Sequence, residues 1–196
     1  MNIAILGGSF NPPHLGHLLI ADQILKFTEC DEVWLTPCYH HTFAKNLAPV
    51  KDRVAMVKLL DRTNSKIKYC GEEIENKLSG DSIDLLNILK KKYPHHKFFF
   101  IIGSDNLSGF KRWGHWEKLI RENNFLIFPR PGFSTNLVDY DLDDPSFRFK
   151  TINNSLIVTT DISSTIIRER IKKNLSVKHF LPEKVEQYIL INKLYI

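Results

Sequence analysis

Five successive apolar residues, Phe98-Phe99-Phe100-Ile101-Ile102, leave no side of a strand for water. A sheet with one wet face alternates polar and apolar positions, whereas a continuous run predicts a strand buried on both faces, the habit of parallel sheets covered by helices. Asn2-Ile3-Ala4-Ile5-Leu6 and Phe125-Leu126-Ile127-Phe128 repeat the pattern. Shorter β-like runs fall at 32–36, expected to stop at Pro37, and at 67–70. Between the runs, apolar residues recur at helical spacing: Leu18 to Ala21 with Ile24-Leu25, Ala55-Met56 with Leu59-Leu60, and Ile83, Leu85-Leu86, Ile88-Leu89. The alternation predicts βαβ units in an α/β, Rossmann-like doubly wound parallel sheet, with residues 1–196 as a single domain. The stretch from Gly132 to Asn154, carrying Asp139, Asp141, Asp143, Asp144 and Pro145, reads as a surface excursion.

Composition narrows the function class. Hydrophobic residues at 43% and charged residues at 25% fit a globular chain with a sizeable core. Lysine and arginine exceed the acidic residues by 27 to 22, a mild excess that suits anionic small molecules. No basic run interleaved with aromatics argues for a nucleic-acid partner, and no apolar stretch reaches bilayer length. Cys30, Cys38 and Cys70 have neither zinc nor redox spacing, and Met1 leads straight into a core strand with no room for a signal peptide. A reducing cytoplasm is the expected setting. Homo-oligomerisation is left open.

The chemistry concentrates where the first strand breaks into Gly7-Gly8-Ser9-Phe10-Asn11-Pro12-Pro13-His14-Leu15-Gly16-His17. Glycine lets backbone approach a ligand and tolerates positive φ, and the helix start beyond it favours anions. His14 and His17, three residues apart, can each donate to a phosphate oxygen. Taken singly, Gly-Gly is equally well a tight turn, and a lone histidine is more often a surface residue. The combination is neither a Walker loop nor G-x-G-x-x-G. Near the other end, Ser163-Ser164-Thr165 precede a helical pattern, which by itself is an ordinary N-cap. Arg168, one turn in, can give an anion a bidentate fork.

The run from Gly7 to His17 resembles the nucleotidylyltransferase superfamily signature G-x-[ST]-F-[DN]-P-x-H-x-G-H, with every fixed position met. Ile162 to Arg168 is similar to that superfamily's I-S-S-T-x-x-R element. Ile102-Gly103-Ser104-Asp105, Trp113 and Arg130-Pro131-Gly132 resemble the middle of bacterial nicotinate (nicotinamide) mononucleotide adenylyltransferases. The resemblance implies transfer of AMP from ATP, with Mg2+, to nicotinate mononucleotide, releasing pyrophosphate. It implies His14, His17 and Arg168 as catalytic residues. ATP would be held by these three with Gly8, Ser9, Phe10, Gly103, Asp105, Ile162, Ser163 and Ser164, and the acceptor by Lys45, Ser82, Trp113 and Arg130. No metal ligand is expected among the side chains, and Arg53 is a candidate second cation for phosphate. As a bare sequence feature, Trp113 is more often a packed aromatic than a stacking platform.

The 38–45 segment departs from the Pro-Pro-His-Lys of many bacterial relatives. Nicotinamide mononucleotide as acceptor, pantetheine-phosphate adenylyl transfer and a non-catalytic nucleotide sensor therefore stand as alternatives. The Gly-x-Asp, Trp and Arg-Pro-Gly elements favour a pyridine acceptor, and the two histidines with Arg168 favour turnover. A tRNA synthetase role lacks the anticodon-binding extension it would need.

Overall fold

Six strands form one parallel sheet in a computed structural model that describes residues 1–40, 46–60 and 64–196. In chain order they are β1 (Asn2–Gly8), β2 (Glu32–Pro37), β3 (Ile67–Tyr69), β4 (Lys97–Gly103), β5 (Asn124–Phe128) and β6 (Phe149–Thr151), arranged β3-β2-β1-β4-β5-β6. Helices α1 (Leu15–Phe27), α2 (Val50–Leu60), α3 (Glu72–Glu75), α4 (Ser82–Lys92), α5 (Trp116–Glu122), α6 (Ser164–Lys172) and α7 (Glu183–Ile191) cover it. A 3-10 segment, Ser104–Arg112, follows β4. No helix among the described residues is long and apolar enough to cross a membrane.

The all-apolar strands divide by the period of two that a pleated backbone dictates. Ala4, Leu6, Phe99, Ile101, Leu126 and Phe128 face one core with residues of α1, α2, α6 and α7. Ile3, Ile5, Phe98, Phe100, Ile102, Phe125 and Ile127 face the other with α4 and α5. Strand order reverses between β1 and β4, so their carboxyl ends flank the crevice in which open parallel sheets bind ligands.

One expectation holds and another needs correction. β2 ends at Pro37, which pairs in register with Gly8, and beyond it the Cys38 N–H donates to the Gly8 carbonyl at 2.9 Å. The Val33 N–H points toward β3, and so does every second residue after it; the nitrogen of Pro37 therefore faces a neighbour that has already ended at Tyr69. The stretch after Gly132 is more than an excursion, since it carries the edge strand β6 and the fully buried Leu142.

Candidate active site

A cavity of about 400 Å3 opens over the ends of β1 and β4. A Cβ on Gly7 would lie 2.9 Å from Phe100 Cζ, so packing beneath the cavity floor demands glycine there. The left-handed backbone expected of the glycines falls instead on Phe10, at φ 47°. Phe10 was expected to touch ATP; its side chain is 1% exposed and lines no described cavity. Its ring packs on His17, with centroids 4.7 Å apart, and so positions the imidazole.

His14 and His17 both line the cavity, with ring centroids 3.8 Å apart. The His14 backbone N–H donates to His17 Nδ1 at 3.1 Å, which places the His17 proton on Nε2. His14 Nδ1 is buried without a hydrogen-bond partner, 2.9 Å from where a Cβ on Gly16 would sit. Only glycine leaves that imidazole its place, and its Nε2 is the nitrogen left to address the cavity.

Burial holds both histidines neutral. Desolvation, then the fields of His17 and Arg130, lowers His14 to about 2. Desolvation lowers His17 to about 4, with Arg130 adding to the shift and the hydrogen bond to His14 opposing it. Each imidazole therefore presents one N–H donor near neutral pH rather than a cation.

Depressed histidines also set a stability slope. The unfolded chain takes up protons below about 6.5 while the folded one resists until about 4 and about 2, so stability is lost as pH falls through that window. Urea midpoints are expected to report ~1–2 kcal/mol lost per histidine between about pH 7 and about pH 5. His14→Gln should show a smaller difference between the two conditions; an unchanged difference would mean that His14 titrates normally.

The two terminal elements meet through hydrogen bonds. Ser163 caps α6, its Oγ accepting from the Ile166 N–H at 3.3 Å. Ser164 Oγ donates to the Pro12 carbonyl at 2.8 Å, and Arg168 Nη1 donates to the Asn11 carbonyl at 2.8 Å. Ile162, Ser163 and Ser164 line the main cavity with Gly8. Arg168 and Ser9 do not. They line a second cavity of about 380 Å3 with Asn11, Asn46 and Thr165, and Ser164 borders both. The Arg168 guanidinium is tethered to the Asn11 carbonyl, and Asn11 lines the same second cavity.

A family model described as cytidylyltransferase-like matches residues 5–170. The chain belongs to this family. It is 36% identical to the "Probable nicotinate-nucleotide adenylyltransferase" of Bacillus cytotoxicus, over 98% of this chain and 97% of that one. The protein of the same name from Bacillus cereus is 35% identical over the same shares. Among solved structures, Plasmodium falciparum nicotinic acid mononucleotide adenylyltransferase complexed with NaAD superposes with a TM-score of 0.82 at 26% identity, covering 99% of this chain and 97% of that chain. The same protein complexed with APC gives 0.80 at 26% identity, covering 99% and 96%.

In this cytidylyltransferase-like chain the remaining candidates divide. Gly103 and Asp105 line the main cavity, and the carboxylate folds back over the glycine so closely that a Cβ would meet Asp105 Oδ1 at 2.1 Å. Arg130, expected on the acceptor, has its Nε 4.0 Å from Asp105 Oδ1, and its field reaches both histidines. It thus stands between the two expected substrate sites rather than within the acceptor's alone. Ser82, at the start of α4, and Trp113 line the cavity. Trp113 stacks on Phe110 at 5.1 Å and meets Phe100 edge-on at 6.2 Å, so packing fixes its ring at the cavity wall. Lys45 lies outside the described residues.

Arg53 is not a phosphate cation. It is 1% exposed, and it donates to the carbonyls of Ser9 at 2.9 Å, Cys38 at 2.8 Å and Ala48 at 3.1 Å. Those bonds fasten three loops around the site. Asn11 works alongside it: its Oδ1 accepts from the Ala48 N–H and the Tyr195 hydroxyl, each at 2.9 Å. Neither role was read from the sequence, nor was Glu73, a buried carboxylate in the cavity wall.

Proposed function

We propose that this chain transfers the AMP moiety of ATP to the 5′-phosphate of nicotinate mononucleotide, giving NaAD and pyrophosphate in NAD biosynthesis. The observation that carries the reading is the pair of neutral imidazoles in a nucleotide-sized cavity that shares Ser164 with a second, Arg168-lined one. An acceptor phosphate oxygen forms the new bond to the α-phosphorus as the bond to the bridging oxygen of pyrophosphate breaks. The acceptor is already an anionic nucleophile, so no general base or covalent intermediate is required. The protein's task is in-line positioning and stabilisation of charge.

On this reading the Nε2–H groups of His14 and His17 donate to the oxygens of the α-phosphate. Gly8 allows the close approach, and Asp105 accepts from the adenosine ribose hydroxyls. The β and γ phosphates extend past Ser163 and Ser164 to Ser9 and Arg168, while Trp113 stacks on the pyridine ring beside Ser82. Magnesium enters as part of MgATP, sharing the charge of the phosphates. Residues 1–196 act as one nucleotidylyltransferase domain in the cytoplasm, where the free cysteines Cys30, Cys38 and Cys70 stay reduced.

Pyrophosphate release from MgATP, measured with nicotinate mononucleotide, nicotinamide mononucleotide and phosphopantetheine in turn, tests the reading. Release with the first supports it. Release with phosphopantetheine alone, or with none, overturns it.

The leaving-group side has its own test. Lysine keeps the charge of Arg168 but loses the fork that bridges Asn11 and the second cavity. Arg168→Lys is expected to weaken binding of ATP and of pyrophosphate about tenfold or more, with AMP and mononucleotide affinities nearly unchanged. Equal losses for AMP and ATP in titrations would remove the β,γ-phosphate role.

A further inference from the structure

Part of the main cavity's wall is acidic. Glu73, on the short helix α3, is 4% exposed and lines the cavity, and its Oε1 is buried without a hydrogen-bond partner. A carboxylate oxygen is rarely left so, because an unsatisfied buried acceptor forfeits its hydration. Asp81, the N-cap of α4, lines the same wall, its carboxylate pressed against Gly114 so that a Cβ there would meet Asp81 Oδ2 at 2.7 Å. Asp81 precedes Ser82 and packs against Gly114, the neighbour of Trp113, so the residues proposed for the pyridine ring adjoin this acidic pair and line the same cavity. On the proposed binding mode the ring substituent of the acceptor reaches this wall.

We propose that Glu73, with Asp81 beside it, is the specificity-determining residue that reads the acceptor's ring substituent, carboxylate or carboxamide. The inference rests on the proposed adenylyl transfer. Protonated, the Glu73 carboxyl donates a hydrogen bond to a ring carboxylate; ionised, it repels that carboxylate and accepts from a carboxamide N–H.

The surroundings put this switch near neutrality. Burial, with the fields of Asp84 and Asp81, pushes Glu73 up to about 7, against a hydrogen bond from the Tyr39 N–H. From the end of β2 Glu73 also faces Cys38, and His40 and Arg112 line the same cavity. On its own helix, Glu72 is engaged with Lys92 and Tyr93.

The test is the ratio of kcat/KM for nicotinate mononucleotide to that for nicotinamide mononucleotide, followed from about pH 5.5 to about pH 8.5. The 5′-phosphates and the imidazoles are common to both substrates and cancel in the ratio, and the nicotinate carboxylate is ionised throughout. The ratio is expected to fall about tenfold with rising pH in the wild type, the size of one partly screened charge repulsion. In Glu73→Gln it should be flat. In Asp81→Asn, which removes one of the fields that raise Glu73, the fall should persist but move to lower pH, with a higher ratio at its acid end. A flat ratio in the wild type, or a slope that survives in Glu73→Gln as it would if His40 were responsible, overturns the inference and leaves the transfer reaction standing. Absence of turnover with either mononucleotide removes both.

Discussion

His17→Ala is expected to lower kcat by roughly two to three orders of magnitude while changing KM for ATP little. The ring is fixed before substrate arrives: Nδ1 is committed to the His14 N–H at 3.1 Å, and Phe10 backs the imidazole at 4.7 Å. A donor so held costs no reorganisation when negative charge gathers on the transferring phosphoryl group. Its neutrality matters too, because a neutral N–H favours the ground-state triphosphate less than a cation would. Gln, whose amide reaches about as far as Nε2, is expected to recover part of the loss. Single-turnover rates on folded protein decide the matter: a lowered melting temperature with near-normal turnover would make His17 a packing residue.

The strands that built the sheet were legible because they are buried on both faces, a condition that composition alone reveals. Residues Phe98 to Ile102 are apolar for that reason. β6 was not legible: Phe149–Thr151 is a three-residue edge strand, with Lys150 exposed, and only its pairing to β5 makes it a strand. The end of β2 was legible in Pro37, whose nitrogen carries no N–H to continue a ladder. In the site, the two histidines and the Ser163 to Arg168 element could be read, since their residue types and spacing are dictated by local geometry at helix starts. Their separation into two cavities could not, because it lies in tertiary contacts such as the bond from Arg168 to the Asn11 carbonyl, 157 residues away in sequence. Glu73 was hidden differently: on α3 it is one acidic residue beside Glu72 and Glu75, and what distinguishes it from the equally buried Glu72 is that it lines the cavity with Oε1 unpartnered, whereas Glu72 is bonded to Lys92 and Tyr93.

Arg53→Met is expected to destabilise the fold by about 3–5 kcal/mol. For a chain of this size that corresponds to roughly a 10 °C lower melting temperature. Methionine fills much of the volume but donates nothing. The carbonyls of Ser9, Cys38 and Ala48 then lose charge-assisted bonds of 2.9, 2.8 and 3.1 Å at once. These carbonyls belong to the loop after β1, the residue after β2 and the approach to α2, which Asn11 also joins through its bonds to Ala48 and Asn46. Lysine is a poor substitute, because one ammonium cannot span acceptors arranged around a planar guanidinium. Turnover should fall along with stability, since Ser9 lies in the loop that carries the phosphate-directed backbone. If Arg53 instead met phosphate directly, Arg53→Met would weaken ATP binding with the melting temperature unchanged. Thermal unfolding and ATP titration on the same preparation separate the two, and the buried fork of carbonyl contacts favours the loss of stability.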